Sequence, residues 1–198
     1  MKNIISKTES VIDRSSKIRS FIAFLWGLAE ASLFFIVPDV WLTIISRRRL
    51  GRAEYAAIGL AILGALVGGT AVYWLARLDP ERMLGLITAV PGIDRVMVDK
   101  VRVQIGNNGL WALLLGPLQG IPYKIYAAQW GITNGGLLRF WLFSIPARGI
   151  RFLLAAGLTR LIWIFGQKKI RFWDRLELVL LLSFWILFYL WYFSHFGW

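Results

Sequence analysis

The chain of 198 residues is 58% hydrophobic with a net charge of +12, a combination typical of an integral membrane protein. Its basic residues bracket apolar segments and form no single soluble patch, so we expect no nucleic-acid partner. There is no cysteine, and His195 is the only histidine. This composition excludes disulfides, thiolate metal sites and the usual nucleophile-histidine pairs, so we expect no cofactor, no metal and no enzymatic activity.

Residues 1–20 form a basic segment with five Lys and Arg residues. The apolar stretch that follows is longer than a signal-peptide core, and no A-x-A cleavage site comes after it. We therefore predict a retained, amphipathic segment on the cytoplasmic side.

Residues 21–46, FIAFLWGLAEASLFFIVPDVWLTIIS, are apolar except for Glu30 and Asp39. At the centre of a membrane span each charge would cost roughly 2.5 to 3.5 kcal/mol. Pro38 interrupts helical hydrogen bonding, and the connector at 47–54 is densely basic like residues 1–20. Because basic connectors favour the cytoplasmic side, the pattern predicts a re-entrant hairpin that begins and ends there. One kinked helix that crosses the bilayer is the alternative left open.

Residues 55–76 are predicted to be a membrane span, in which Gly64 and Gly68 permit close helix packing. The segment 77–108 mixes five basic with four acidic residues and contains an amphipathic pattern. We predict that it is an interfacial loop on the outer face.

Residues 110–134 repeat the form of the first broken segment, with Pro117 and Pro122 interrupting an apolar run and Lys124 just after it. Broken segments at corresponding positions of two halves, here 21–76 and 110–165, are typical of an inverted repeat with a site near the midplane. A second re-entrant hairpin is therefore predicted here.

The span predicted at 137–165 carries Arg148 and Arg151 near its middle, three residues apart and so on one helix face. Central arginines usually face a cavity and mark a substrate path. Arg139 and Arg160 lie near the ends, where their side chains can reach the membrane surface.

A basic connector at 166–177 and a span at 176–197 complete the chain, and the aromatic end YLWYFSHFGW is typical of an interfacial belt that includes His195. The predicted fold is an all-α integral membrane protein with two opposed re-entrant helical hairpins in an inverted repeat plus about three transmembrane helices. The N-terminus is expected in the cytoplasm and the C-terminus outside.

Two opposed hairpins would bring five charged residues together near the midplane, and the three cations exceed the two carboxylates by one: Glu30, Asp39, Lys124, Arg148 and Arg151. Guanidinium groups bind phosphate through forked donors, and lysine binds it as a point charge. A phosphate headgroup therefore fits the cluster. The alternative is a structural ion network in which the carboxylates only neutralise the arginines.

Three stretches resemble the DedA/VTT family, which includes the SNARE-associated Golgi proteins, over residues 20–166. They are Glu30 with Pro38-Asp39, GPLQGIPYKIYAAQWG, and ARGIRFLLAAGLTRLIWIFG. The resemblance implies two opposed re-entrant hairpins and movement of lipids between leaflets, including undecaprenyl phosphate flipping and phospholipid scrambling. It also implies proton-linked transport in some members, with essential acidic and arginine residues.

The sequence favours a lipid flippase or scramblase in a bacterial inner membrane. Arg148, Arg151 and Lys124 would hold the lipid phosphate, while Glu30 and Asp39 would exchange protons or balance charge. The expected partners are a phosphate-bearing membrane lipid and anionic headgroups, and a homo-oligomer is left open. The alternative is a scaffold that transports nothing, and a lipid-phosphate enzyme is disfavoured because no nucleophile is paired with a base.

Overall fold

The computed structural model describes residues 2–197, and for residues 2–13, 117, 118, 174 and 196 only the backbone is described. Helices occupy most of this range and no strand occurs within it. The helices are α1 (Lys2–Ser32), α2 (Asp39–Ser46), α3 (Arg52–Leu78), α4 (Pro80–Thr88), α5 (Arg95–Asn108), α6 (Trp111–Leu115), α7 (Tyr123–Ile132), α8 (Leu137–Lys169) and α9 (Trp173–Phe196), with a 3-10 turn at Gly116–Gln119.

Three helices are long and apolar enough to cross a membrane: α3 with 27 residues, α8 with 33, and the 21 residues Arg175–His195 of α9. At about 1.5 Å per residue, each exceeds a hydrocarbon core of ~30 Å. These helices confirm the prediction of an all-α membrane protein with about three helices able to span the bilayer.

Helices α1 and α3 pack with their backbones in contact. A Cβ added at Gly64 would lie 2.0 Å from the carbonyl oxygen of Phe24, and one at Gly68 would lie 2.4 Å from that of Leu28. Small residues at this spacing allow such an approach because they have no side chain to separate the helices. Gly64 and Gly68 therefore have the packing role expected for them.

The first apolar stretch begins as the last part of α1, which runs without interruption from Lys2. Its break lies at residues 33–38, whereas the sequence placed the break at Pro38 itself. The amides of Leu33 and Phe34 both bond to the carbonyl of Ala29, at 3.1 and 2.8 Å, and so end the helix before the proline. Pro38 instead precedes the first residue of α2.

Helix α2 turns back along α1. The indole of Trp41 donates to the carbonyl of Arg19 across 3.0 Å and stacks on Trp26, with 6.4 Å between ring centroids. The guanidinium of Arg19 also lies 3.5 Å from a carboxylate oxygen of Glu54. Arg19 and the connector 47–54 therefore lie at one end of the molecule, which we call the basic end.

The end of α8 and the start of α9 also lie at the basic end. Arg160 of α8 donates to the carbonyl of Arg48 across 2.6 Å, and Arg48 forms an ion pair with Glu177 of α9. Since α3 and α9 start at this end and α8 finishes there, the three long helices connect it with the far end of the molecule.

The segment predicted as an interfacial loop contains helices α4 and α5, which lie at the far end. Their buried faces, which include Met83, Ile87, Met97 and Val101, belong to the same apolar core as α7. Their charged residues, among them Arg82 and Arg95, are exposed. The amphipathic pattern is therefore present, but its apolar side packs on protein.

Helix α7 is buried on nearly all sides, with eight of its ten residues inaccessible to solvent. Its first residue, Tyr123, packs against Gly69 of α3, and the hydroxyl of Tyr73 donates to the carbonyl of Gly135 just beyond α7. Helix α7 therefore runs from the middle of the bundle to the far end, whereas α2 runs from the middle to the basic end.

The two broken segments share an order of helix, break, short helix and long helix, but the helices before the breaks differ in length. Helix α1 has 31 residues and α6 has five. The two halves are therefore related in order and unequal in size.

Helix α9 lies antiparallel to α2, and hydrogen bonds fasten it along its length. The indole of Trp185 donates to the hydroxyl of Thr43 at 3.0 Å, and the amide of Val37 donates to the hydroxyl of Tyr189 at 2.8 Å. Near the far end, the hydroxyl of Tyr192 donates to the carbonyl of Gly92 at 3.1 Å. The side chain of His195 is exposed and stacks on Trp191.

Candidate functional site

Arg148 is completely buried and forms an ion pair with Glu30, which is 3% exposed. The guanidinium carbon lies 4.4 Å from the ring centroid of Tyr123 and 5.4 Å from that of Phe152. Both rings therefore offer a face to the cation, which compensates in part for its lost hydration. Nε and Nη1 of Arg148 have no hydrogen-bond partner among the residues that the structure describes.

Arg151 and Asp39 form a second pair. Nε of Arg151 donates to Oδ1 of Asp39 across 3.3 Å, and Nη2 lies 2.9 Å from Oδ2 as an ion pair without a hydrogen bond. Asp39 is the first residue of α2, where the helix dipole favours a negative charge. The side chain of Arg151 is 25% exposed, whereas that of Asp39 is almost fully buried.

Lys124 is the second residue of α7 and only 1% exposed. Its ammonium nitrogen donates across 2.6 Å to the carbonyl of Phe34, within the break of the first segment. No carboxylate forms an ion pair with Lys124 in the part of the chain whose side chains are described. Lys124 is therefore the surplus cation of the five-residue cluster.

A cavity of about 430 Å³, which we call the central cavity, lies beside these groups. Glu30, Lys124 and Arg151 line it, so that two cations and one carboxylate face the same space. Arg148 and Asp39 do not line it, although the sequence predicted that all five side chains would converge. Each instead pairs with a residue that does line the cavity, Arg148 with Glu30 and Asp39 with Arg151.

The rest of the wall comes from Phe35 and Val37 in the first break, from the far end of the bundle and from α9. Residues 90–93 and 119–122 contribute apolar and backbone surface, and α9 contributes its aromatic face, which consists of Phe188, Tyr189, Trp191 and Tyr192. Arg151 lies close to the midpoint of α8. The central cavity therefore extends from the middle of the longest helix toward the far end.

The three predicted proline breaks have different positions. Pro38 precedes α2, position 117 lies within the 3-10 turn, and Pro122 precedes α7 and lines the central cavity.

The other two arginines of α8 lie away from the cavity. Arg139 is exposed, and Arg160 bonds to Arg48 while lying 4.6 Å from the ring of Trp163.

Sequence reasoning missed the part that α9 plays. Tyr189 satisfies the amide of Val37 in the first break and lines the central cavity together with Phe188 and Tyr192. The spacing of positions 188, 189 and 192 could have identified one shared helix face. The aromatic composition was interpreted only as an interfacial belt.

The arrangement suits binding of an anion, because a positive surplus faces a space with largely apolar walls. Among the residues whose side chains the structure describes, no group of three or more His, Asp or Glu lies close enough together to hold a metal ion. No protein-family model, no curated protein and no solved structure matches this chain.

Proposed function

We propose that this protein moves phosphate-bearing lipids between the leaflets of a membrane, as a flippase or scramblase of the kind that its resemblance to the DedA/VTT family implies. One observation carries the proposal. Lys124 and Arg151, which come from different parts of the chain, face one central cavity with Glu30. A cavity with convergent charged groups is the expected form of a ligand site.

The two cations have different roles in this proposal. Lys124 is matched only by a backbone carbonyl, so its charge remains available to an incoming phosphate. Arg151 is already paired with Asp39, and a phosphate would have to share or displace that carboxylate. Lys124 is therefore the first phosphate ligand and Arg151 the second.

The charge pattern of the sequence also predicts phosphate binding by Arg148, and the geometry argues for a different role. Arg148 is fully buried behind Glu30 and does not line the central cavity. Its role in the proposal is to hold Glu30 in place. If Glu30 takes up a proton, Arg148 loses its partner, so the pair couples the cavity to the core of the bundle.

We propose that residues 21–46 and 110–134 are re-entrant hairpins that enter from opposite faces of the membrane as an inverted repeat. Support comes from α2 and α7, which run from the middle of the bundle to opposite ends, and from the bond between Lys124 and Phe34, which joins the two breaks. Irregular backbone at that depth is tolerated where protein or a polar cavity covers it. The basic end is assigned to the cytoplasm, because Lys and Arg favour that side.

Proton linkage follows from the sign of the charges. A phosphate in the central cavity would be repelled by Glu30 and attracted by Lys124 and Arg151. Protonation of Glu30 removes the repulsion, so phosphate binding and proton uptake favour each other. Asp39 lies outside the cavity wall, and its part is to balance Arg151.

A second candidate function is a scaffold that transports nothing. The observation in its favour is that Glu30 and Asp39 are each matched with one arginine in a largely buried pair. Such a network can exist for structure alone, and removing one partner of a buried pair is destabilising.

Lipid exchange in vesicles separates the two functions. The purified protein would be placed in vesicles that contain a fluorescent phosphatidylglycerol, and exchange would be followed by quenching of the outer leaflet. We expect rapid exchange with the unchanged protein and a large reduction with Lys124→Gln. Arg139→Gln is the matched control, because that residue is charged and exposed on α8 but remote from the cavity.

A folded, inserted protein that exchanges neither phosphatidylglycerol nor a polyprenyl phosphate would contradict the transport proposal and favour the scaffold. Equal exchange by the unchanged protein and Lys124→Gln would show that the central cavity is not the pathway.

A further inference from the structure

A second cavity, of about 440 Å³, lies between α2, α8 and α9 at the basic end. It shares no lining residue with the central cavity. Its volume is within the ~300 to 1,000 Å³ usual for small-ligand sites. We call it the basic-end cavity.

Most of its wall is aliphatic or aromatic, with Leu158, Ile162, Leu181 and Phe184 among the lining residues. Its polar groups are few and include Arg47, Trp163, Trp173 and Glu177. All four come from the helix ends that lie at the basic end. One side of the basic-end cavity is therefore suited to hydrocarbon, while its charged groups lie where a lipid headgroup would be.

Four buried polar atoms of residues that line this cavity have no hydrogen-bond partner among the described residues. They are the indole nitrogens of Trp163 and Trp173, Nε of Arg47 and the Oε2 atom of Glu177. Trp173 is 8% exposed and Glu177 is 6% exposed. Buried polar atoms are nearly always bonded, so three donors and one acceptor without partners indicate a ligand that supplies both kinds of group.

Charge restricts the ligand further. Arg47 lies 3.5 Å from Oε1 of Glu177, and Arg48 bonds to the same oxygen, so the cations use one carboxylate oxygen and leave the other unused. A phosphate diester accepts hydrogen bonds from indole and guanidinium groups, and a primary ammonium donates to a carboxylate. A zwitterionic headgroup with both groups would match the three unpaired donors and the unpaired acceptor.

We infer that the basic-end cavity is a binding site for an amine-bearing zwitterionic phospholipid of the phosphatidylethanolamine class. The phosphate accepts from Trp163 and Trp173, the ammonium donates to Glu177, and one acyl chain lies along the apolar wall between α8 and α9. The site binds a lipid beside the bundle and does not depend on transport through the central cavity.

Native mass spectrometry of the delipidated full chain tests the inference, with phosphatidylethanolamine, phosphatidylcholine and phosphatidylglycerol added separately. We expect phosphatidylethanolamine to bind about tenfold more tightly than phosphatidylcholine, the ratio expected for one charge-assisted hydrogen bond, because a quaternary ammonium cannot donate to Glu177. Glu177→Gln should remove most of this preference. Trp173→Phe should weaken binding of both lipids without changing their ratio, because it removes a donor to the shared phosphate.

A matched pair of variants guards against loss of folding. Leu181→Trp places a larger side chain in the basic-end cavity and should prevent binding of the first lipid molecule. Leu182→Trp changes the neighbouring exposed residue, and this variant should bind lipid as the unchanged protein does. Equal lipid binding by these two variants, or no preference between the two zwitterionic lipids, would overturn the inference. A change in dimer content with Leu181→Trp and none in lipid binding would show instead that two copies of the chain meet at this cavity.

Discussion

Lys124 donates a hydrogen bond of 2.6 Å to the carbonyl of Phe34, and this bond joins the two helix breaks near the middle of the bundle. Among the described residues, this is the only hydrogen bond between the two break regions, and its donor is a buried ammonium group. The residue that we assign as first phosphate ligand therefore also ties together the two segments that form the cavity.

Two substitutions of Lys124 separate these roles. Glutamine keeps a donor for Phe34 and removes the charge, whereas methionine removes both. We expect lipid exchange to fall strongly in both variants, but only Lys124→Met should lose stability, by about 1 to 3 kcal/mol for the unsatisfied buried carbonyl. Exchange assays and thermal unfolding measure the two effects. Normal exchange in Lys124→Gln would contradict the role in phosphate binding.

Substitutions of Arg148 and Arg151 should have different effects: the first should reduce stability and the second should reduce lipid exchange. Arg148→Gln leaves Glu30 buried without its partner, and breaking such a pair typically costs about 3 to 5 kcal/mol. Arg151→Lys keeps the charge and loses the forked donor, so the protein should fold while lipid exchange falls. Thermal unfolding and exchange of both variants check this difference. A stable Arg148→Gln protein would show that the pair with Glu30 is dispensable.

The pH dependence of lipid exchange should depend on Glu30. Because protonation of this carboxylate removes its repulsion of phosphate, lowering the pH should tighten binding of an anionic lipid in the unchanged protein. Glu30→Gln fixes the uncharged state, so binding should lose most of its pH dependence. Measurement of lipid affinity across pH tests the expectation, and Asp39→Asn is the comparison at a carboxylate that does not line the cavity. An unaltered pH profile combined with lost stability would favour the scaffold function.

Single cysteines can test the membrane orientation, because the chain has none of its own. Arg49 lies in the connector at the basic end, and Asp99 is exposed on α5 at the far end. We expect an impermeant thiol reagent to label Asp99→Cys in intact cells, and Arg49→Cys only after the membrane is opened. Labelling of both from outside would place the two ends on one side and contradict the arrangement.

The glycine contact between α1 and α3 has a matched control in the same helix. Gly64→Ala would place its Cβ 2.0 Å from the carbonyl of Phe24, whereas a Cβ at Gly59 would meet nothing within 4 Å. We expect Gly64→Ala to destabilise the protein by about 1 to 3 kcal/mol through overpacking. Gly59→Ala should be neutral or stabilising by up to about 1 kcal/mol, since alanine favours helices. Thermal unfolding of both variants in one lipid mixture compares them.

The helical class and the three long apolar helices could be predicted because hydropathy over membrane length is a local property of the sequence. The pairing of charges could not. Sequence spacing put Arg148 and Arg151 on one helix face, but their partners come from segments more than 100 positions away. The pairing of each arginine with Glu30 or with Asp39 decides which arginine faces the central cavity.

The break in the first apolar stretch shows a second limit. Pro38 is a strong local signal, yet α1 ends earlier, where two successive amides share the carbonyl of Ala29. Such helix ends depend on competing bonds within one turn and leave little trace in composition. The hydroxyl of Tyr189, which satisfies the amide of Val37 from the last helix, depends on tertiary contact in the same way.

The contact between α1 and α3 restricts how the molecule can move. Because the two backbones touch, neither helix can rotate or slide without a steric clash. Helices α1 and α3 therefore behave as one rigid unit that holds Glu30 in position. By contrast, hydroxyl and indole bonds fasten α9 to α2 and to the turn at Gly92, and they can break and re-form at small cost. We therefore expect the central cavity to open by movement of α9 away from the rigid pair formed by α1 and α3.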